Sequence, residues 1–174
     1  MILVLFGVTG AGKTTIGQLL STRLGWRFED GDDYHSLANR RKMESGIPLT
    51  DGDREPWLNL LRTRMQEFVA CNENAVLACS ALKQQYRDLL GSGFDPGTVR
   101  FALLCAPRSV LEERIRQRHH PYMNPSLLDS QLATLEVSAD AWCISVSGTK
   151  EEAVQELLGY LQDAADRLGL KRRP

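Results

Sequence analysis

The sequence lacks the features that mark a membrane protein or a general nucleic-acid binder. No apolar run approaches the roughly 20 residues of a membrane span. The 21 basic and 22 acidic side chains nearly cancel, so no broad surface of one sign is expected for nucleic acid or anionic lipid. The short apolar N-terminus has no basic residues before it and does not resemble a signal peptide. We therefore expect a cytoplasmic protein with no membrane and no nucleic-acid partner.

The sequence also has few cysteines, and their spacing fits neither a redox nor a zinc motif. Cys71, Cys79, Cys105 and Cys143 contain no C-x-x-C pair, and three of them lie in or beside apolar runs. This pattern favours buried free thiols in a reducing compartment over disulfides or zinc ligands. A chain of 174 residues can bury a core without such cross-links, and we expect a single domain over 1–174.

The first fifteen residues carry the most informative motif that is present. Residues 1–6 are all apolar, as in a strand buried on both faces of a parallel sheet. The next residues match G-x-x-x-x-G-K-[ST], the phosphate-binding P-loop, and lead into a periodic helix pattern. Its glycines let backbone N–H groups surround phosphate, beside the positive end of the helix. The predicted nucleotide-binding residues are Gly7, Val8, Thr9, Gly10, Ala11, Gly12, Lys13, Thr14 and Thr15.

Four residues near this loop have predicted chemical roles. Lys13 would reach the β- and γ-phosphates, and the Thr14 hydroxyl would bind Mg²⁺. Asp30 and Asp32 follow the second predicted strand with one residue between them. Two carboxylates at this spacing suit a metal-linked carboxylate and an acceptor for the proton of a hydroxyl nucleophile. A solvated turn with an aspartate cap is the alternative.

Strand and helix patterns alternate along the chain, which predicts an α/β domain with a parallel sheet. Ligands of such sheets bind at the edge where the strands lead into helices. Capping signals predict three helix starts. They are Asp53 as the cap of a long helix with Pro56 in its first turn, and capping boxes at Ser109–Glu112 and Thr149–Glu152.

Basic side chains near that edge are candidates for binding an anionic substrate. They are the basic residues within Asn39–Lys42, together with Arg54, Lys83 and Arg87, and Lys83 is the best placed because it lies just past a buried strand. Solvated surface side chains are the alternative for each of them. Arg114 and Arg118 lie one helical turn apart and lead into a loop broken by prolines. This predicts a lid that brings cations over the nucleotide, with a surface ion-pair helix as the alternative.

These motifs together resemble the small P-loop gluconokinases, which phosphorylate D-gluconate with ATP. The match runs in order and at compatible spacing from residue 3 to about 136, and the stretches 40–58 and 79–88 are more specific than the P-loop. The matching segments are Gly7–Thr15, Asp30–Asp32, Tyr34–His35, Asn39–Met43, Gly46–Leu49, Asp51–Arg54, Pro56–Leu58, Cys79–Lys83, Tyr86–Leu89, Arg114, Arg118, Tyr122–Met123, Ser130–Gln131 and Thr134–Glu136.

The resemblance implies a fold, a reaction and a set of roles. The fold is the nucleoside-monophosphate-kinase type, a five-stranded parallel sheet in the order 2-3-1-4-5 flanked by helices. Substrate-binding helices are expected at about 31–73 and a mobile lid at about 114–130. The reaction is ATP- and Mg²⁺-dependent phosphorylation of D-gluconate at its 6-hydroxyl. The implied roles are Asp32 as base, Asp30 as a carboxylate linked to the metal through water, Arg114 as an adenine or phosphate contact, Arg118 as the lid cation, and His35, Arg54, Lys83 and Arg87 as gluconate contacts.

Two other functions remain open from the sequence. A kinase for shikimate or another small hydroxy acid would share the fold, the P-loop and the paired aspartates, although shikimate kinases look glycine-rich where this chain has Cys79–Lys83. A nucleotide-dependent switch is the alternative from another class, but a GTPase would carry Asn-Lys-x-Asp, which is absent. The chain departs from the gluconokinase pattern at His120-Pro121. The oligomeric state is also open, a homodimer included.

Overall fold

The structure of the protein is a computed structural model that describes residues 1–117 and 125–167. None of the helices in these ranges is both long and apolar enough to cross a membrane. The strands are β1 Ile2–Phe6, β2 Arg27–Asp30, β3 Ala75–Ala78, β4 Val99–Cys105 and β5 Trp142–Ser145. The helices are α1 Lys13–Leu24, α2 Leu37–Glu44, α3 Asp51–Ala70, α4 Gln84–Gly91, α5 Arg108–Gln117, α6 Pro125–Thr134 and α7 Lys150–Arg167, and a 3₁₀ turn follows β2 at Gly31–Tyr34.

The described residues form one sheet of five parallel strands in the order β2-β3-β1-β4-β5. This confirms the predicted α/β fold and the strand order 2-3-1-4-5. β1 lies at the centre, where Val4 is level with Leu77 of β3 and Phe101 of β4. Because parallel strands end at the same edge of a sheet, the loops that follow β1, β2 and β3 meet there.

The central strand supplies side chains to both layers of the core. All five residues of β1 are 0% exposed. Leu3 and Leu5 pack with residues of α1 and α7 on one face of the sheet. Ile2, Val4 and Phe6 pack with residues of α3 and α4 on the other face. A strand that alternates between two buried faces has no position for a polar side chain, which explains the unbroken apolar run.

The start of α3 differs from the prediction by three residues. Thr50, not Asp53, is the N-cap: its hydroxyl accepts the Asp53 N–H at 3.2 Å, and the Asp53 carboxylate accepts the Thr50 N–H at 2.9 Å. The two residues form a reciprocal capping box, so the aspartate acts from the third helical position. Pro56 is consequently the sixth residue of α3 and lies beyond the first turn. It has no N–H to donate to the Gly52 carbonyl.

One of the two other capping predictions is wrong and one is confirmed. α5 begins at Arg108, so Ser109 is already inside the helix, and Glu112 instead accepts a hydrogen bond from Arg108 at 2.6 Å. Pro107 starts this helix by accepting N–H bonds with its carbonyl. At α7, Thr149 and Glu152 form the predicted box, with reciprocal bonds of 2.8 and 3.2 Å.

The four cysteines are free, but most of them are not buried as predicted. Cys79 is buried, Cys105 is partly exposed, and Cys71 and Cys143 are exposed. An apolar sequence neighbourhood was a poor guide here because Cys71 is the C-cap of α3 and Cys143 lies on β5, an edge strand of the sheet. Neither place has protein on every side.

Gly17 is expected to be required where α1 crosses the sheet. A Cβ on this buried residue would lie 2.5 Å from the ring of Phe28 and 3.5 Å from Leu5. Gly17→Ala should therefore force the ring to shift and lower the free energy of unfolding by about 1–3 kcal/mol. Urea unfolding measures the change. Gly159→Ala is the matched control, since a Cβ there meets nothing within 4 Å and should stabilise α7 by about 0.5–1 kcal/mol. Equal effects would contradict the packing argument.

Candidate active site

The loop between β1 and α1 has a backbone path that needs glycine at three positions. Gly7, Gly10 and Gly12 have φ values of +139°, +80° and +88°. A Cβ on Gly7 would lie 2.8 Å from the Leu104 carbonyl oxygen, and one on Gly10 would lie 3.1 Å from that of Leu111. Positive φ and close backbone neighbours both exclude larger residues. The loop therefore keeps a fixed concave shape between β4 and α5.

Lys13 brings a cation to this loop. It is the first residue of α1, and its Nζ donates to the carbonyl oxygens of Gly7 at 3.0 Å and Val8 at 3.1 Å. The first-turn N–H groups of α1 have no partners within the helix and point the same way. An ammonium group and a helix N-terminus at one point make an anion site of the kind that binds phosphate.

The two predicted metal ligands are in direct contact. The Thr14 hydroxyl donates to Oδ2 of Asp30 at 2.7 Å, and Oδ1 of Asp30 accepts the Asp32 N–H at 3.1 Å. Within residues 1–117 and 125–167, no group of three or more His, Cys, Asp or Glu side chains is arranged to hold a metal ion. A cation at Thr14 and Asp30 would therefore take its other ligands from water and from a bound phosphate.

Asp32 lies in the 3₁₀ turn that follows β2, close to Lys13 and Asp30. Enclosure by the surrounding protein and the charge of Asp30 raise the pKa of its carboxyl, while the charge of Lys13 acts in the opposite direction. Its side chain is 78% exposed to solvent, so a substrate can reach the carboxylate. A carboxylate with a raised pKa holds a proton more readily, which suits a general base.

His35 stands next to Asp32 as a neutral ring. It stacks on Trp57 at 4.2 Å with an interplanar angle of 18°, and its Nε2 lies 3.9 Å from Oδ1 of Asp32. Burial and the charges of Arg54 and Arg40 lower the pKa of His35 to about 4. Its Nδ1 is buried and has no hydrogen-bond partner among the described residues. The ring is therefore a neutral hydrogen-bonding group at physiological pH.

Lys83 and Arg54 come together around a carboxylate that was not predicted as a site residue, Asp51. Lys83 Nζ lies 2.8 Å from both oxygens of Asp51, and Arg54 Nη1 lies 4.0 Å from one of them. The Tyr86 hydroxyl also donates to Asp51. Hydrogen bonds from Lys83 and Tyr86 lower the pKa of Asp51 to about 2. Sequence reasoning missed Asp51, although it lies in the motif that precedes Arg54.

Arg87 is buried among protein partners, and its role as a gluconate contact stays a prediction. The side chain is 2% exposed, and its guanidinium group lies 4.6 Å from the Phe6 ring centre. Nη1 donates to the carbonyls of Ala81 at 2.7 Å and Leu82 at 3.0 Å, and Nη2 donates to that of Glu136 at 2.6 Å. These bonds direct the cation inward, where it holds the loop that carries Lys83.

Glu136 is a second residue that sequence reasoning left without a role. Its carboxylate accepts the Gln84 N–H at 2.6 Å, and its own N–H donates to the Leu82 carbonyl at 2.9 Å. Gln84 is the first residue of α4, whose N-cap, Lys83, makes no capping hydrogen bond. Glu136 therefore caps α4 from a distant part of the chain. Only the folded structure brings these segments together.

A cavity of about 410 Å³ adjoins the glycine loop on the side of β5. Arg114 lines it and donates from Nη2 to the Val146 carbonyl at 2.5 Å. The other lining residues include Gly10, Gly12, Thr15, Thr149 and Lys150. Its position beside the phosphate loop suits a nucleotide base. A larger cavity of about 830 Å³ lies around Trp26 and Asn74 and contains none of the predicted site residues.

Part of the predicted lid lies outside the described residues. Arg118, together with His119 and His120, belongs to the range 118–124, so its role stays a prediction. Of the region 114–130, the structure describes the end of α5 and the start of α6.

The chain is similar to known proteins over most of its length. A family profile described as "AAA domain" matches residues 2–140. The gluconokinase of Gluconobacter oxydans (strain 621H) is 45% identical over 163 residues, which cover 92% of this chain and 90% of that protein. The probable gluconokinase of Dictyostelium discoideum is 41% identical over 174 residues, with 93% and 86% covered.

A solved structure agrees as well. The crystal structure of a gluconokinase from Sinorhizobium meliloti 1021 superposes with a TM-score of 0.86 at 38% identity, over 98% of this chain and 97% of that one. The identity extends across nearly the whole length in each case, and the fold and phosphate loop agree with it. The chain therefore belongs to the gluconokinase family.

Proposed function

We propose that this protein transfers the γ-phosphoryl group of ATP to the 6-hydroxyl of D-gluconate, giving ADP and 6-phospho-D-gluconate. Its family relatives support the choice of substrate. The observation that carries the proposal is a continuous row of groups along one edge of the sheet. The row runs from Lys13 past Asp32 and His35 to Arg54 and Lys83.

The phosphate end of this row accounts for ATP. The loop at Gly7–Thr15 offers backbone N–H groups and the Lys13 ammonium to the phosphates. The cavity beside Arg114 and Val146 takes the base. Mg²⁺ would be held by Thr14 and, through water, by Asp30, whose 2.7 Å contact suits oxygen ligands of a hard cation. The bound metal would neutralise charge on the phosphate oxygens.

The chemical step needs a base and a cation, and the chain supplies both. The acceptor hydroxyl oxygen forms a bond to the γ-phosphorus while the bond from that phosphorus to the ADP oxygen breaks. The hydroxyl proton passes to the Asp32 carboxylate, whose raised pKa favours this transfer. Lys13 stabilises the negative charge that moves onto the leaving ADP. Arg118 is proposed to add a second cation from the lid.

The other end of the row suits an acid with several hydroxyl groups. Arg54 and Lys83 are cations for the gluconate carboxylate, and the neutral His35 ring can hydrogen-bond a hydroxyl. Asp51 lies beside both cations, so the substrate must share them with it or displace it. The segment at about 31–73 carries most of these groups and is the proposed acceptor-binding region.

A kinase for another small hydroxy acid, such as shikimate, would use the same base and cation positions. Phosphorus NMR of the purified protein with ATP, Mg²⁺ and gluconate tests the assignment directly. We expect 6-phosphogluconate to form. If shikimate or gulonate is phosphorylated rapidly and gluconate is not, the proposed substrate is wrong, while the proposed mechanism still applies. Slow ATP hydrolysis with every acceptor would favour a nucleotide-dependent switch instead.

The first kinetic prediction concerns Lys13. A preorganised cation at the transferring phosphate contributes about 3 kcal/mol or more in the transition state. Lys13→Ala should therefore lower kcat roughly a hundredfold or more. The fold should be retained, because Lys13 is not part of either hydrophobic core cluster. Coupled ADP-release kinetics and thermal unfolding measure the two effects. Near-normal turnover would remove the P-loop lysine from the mechanism.

The second prediction concerns Asp32 and pH. Only the deprotonated carboxylate accepts a proton, so wild-type kcat should be full above the raised pKa of Asp32 and decline as the pH falls through it. Asp32→Asn should lower kcat by ~10²–10⁴-fold, or less if the transition state is loose, and should abolish this acid limb. ATP affinity, measured by calorimetry, should be retained. An unchanged acid limb in the variant would assign it to another group.

The third prediction separates the acceptor end from the phosphate end. Lys83→Met removes a cation but keeps a long side chain, and a hydrogen bond to a charged group contributes about 1.5–3 kcal/mol. The KM for gluconate should rise at least tenfold by this reasoning, with the KM for ATP nearly unchanged. Arg27→Met is the control, because Arg27 pairs with Glu73 near the amino-terminal end of β2. Equal effects of both variants would exclude a specific role for Lys83.

A further inference from the structure

The peptide unit between Val8 and Thr9 is held from both sides. Its carbonyl oxygen accepts a hydrogen bond from Lys13 Nζ at 3.1 Å. Its N–H donates to Oε1 of Gln131 at 2.6 Å. Because a peptide unit is planar and rigid, its carbonyl cannot turn without turning its N–H as well. One chain of hydrogen bonds therefore runs from Gln131 through the P-loop backbone to the Lys13 ammonium.

We infer that Gln131 is a positioning residue for Lys13. It fixes the orientation of the Val8–Thr9 peptide, and that peptide places the ammonium at the phosphate site. The inference rests on the proposed function of Lys13 in phosphoryl transfer. Gln131 belongs to the α6 segment that matched the family motif, but no role follows from that match.

Geometry explains why the lysine needs such support. A lysine side chain has four rotatable bonds and loses much rotamer entropy when it is fixed in one place. Here two carbonyls, those of Gly7 and Val8, hold the ammonium. The Gly7 carbonyl directly follows β1, whereas that of Val8 lies in the loop, where it also accepts the Ala11 N–H at 3.4 Å. Gln131 is a side-chain partner of the Val8–Thr9 peptide from outside the loop. Hydrogen bonds in series also polarise one another, which strengthens the contact with the ammonium.

The position of α6 makes Gln131 a firm support. Just beyond the helix, the Glu136 N–H donates to the Leu82 carbonyl at 2.9 Å, and the Glu136 carbonyl accepts from Arg87 at 2.6 Å. These bonds anchor α6 to the loop that carries Lys83. The P-loop is therefore tied, through Gln131, to the acceptor side of the cleft as well as to the sheet.

The test compares two substitutions of Gln131 in one steady-state experiment. Gln131→Met keeps the length of the side chain and removes the acceptor oxygen, so kcat should fall about tenfold while the KM values for ATP and gluconate change less than threefold. Gln131→Glu keeps an acceptor oxygen and should recover most of the lost kcat. Gln155→Met, on the exposed face of α7, is the matched control and should leave kcat unchanged.

A second arm asks whether the effect passes through Lys13. Added to Lys13→Ala, Gln131→Met should lower the remaining rate less than twofold. A tenfold loss in both backgrounds would overturn the inference, and so would a lower melting temperature with unchanged kcat. The Thr9 amide proton reports the hydrogen bond itself: Gln131→Met should move its NMR signal upfield and speed its exchange with solvent. An unchanged signal would also overturn the inference.

ATP hydrolysis without any acceptor separates this inference from the proposed function. If gluconate is not the substrate, wild-type protein will release no gluconate-dependent ADP, yet Gln131→Met should still slow the hydrolysis about tenfold. If only the inference fails, wild-type protein will phosphorylate gluconate, and the Gln131→Met variant will match it in both reactions.

Discussion

The close approach of the first loop to the central sheet is the constraint on which the site depends. β1 has neighbours on both sides and no exposed residue, so its end is fixed. Gly7 then passes so near β4 that a Cβ would lie 2.8 Å from a backbone oxygen of Leu104. β1 and the residue after it also hold the loop that follows β3. The Cys79 N–H donates to the Leu5 carbonyl, and the Gly7 N–H donates to the Ser80 carbonyl. The P-loop and the loop that follows β3 therefore both start from the rigid centre of the sheet, which favours a constant distance between the groups that they carry.

Charged groups in the cleft are paired with partners from the protein itself. Asp30 accepts from Thr14, and Lys83 is bonded to Asp51. His35 stays uncharged because burial and nearby arginines lower its pKa to about 4. A ligand that binds these side chains must replace the contacts that they make with each other. Only a ligand that forms equally good contacts is therefore favoured. A ligand carboxylate could replace Asp51 as the partner of Lys83, but only hydroxyl groups of a ligand could hydrogen-bond to both His35 and Asp32. This pattern favours a hydroxy acid over a simple carboxylate.

Local signals in the sequence predicted the parts of the site that depend on neighbouring residues. The apolar run of β1, the glycine pattern of the P-loop and the capping box at Thr149 are of this kind, and the strand order followed from the family resemblance. The predicted cap at Asp53 was wrong because Thr50 and Asp53 cap the same turn together, and sequence alone does not say which one begins the helix. The burial of Arg87 was not predicted, because a charged residue four positions after Lys83 gives no local sign that Phe6 and Glu136 surround it.

The missed residues have in common that their partners are far away in sequence. Gln131 contacts a residue 122 positions earlier, and Glu136 caps a helix that begins 52 positions before it. Both lie on or just after α6, which leads from the predicted lid back to the sheet. Arg87 completes this frame by bonding Ala81, which has a positive φ of 35° and needs such support. Because the same short segment touches the P-loop and the Lys83 loop, a shift of α6 would change both ends of the cleft together. The P-loop and the loop that carries Lys83 are thus joined through α6 by residues that were not predicted as site residues.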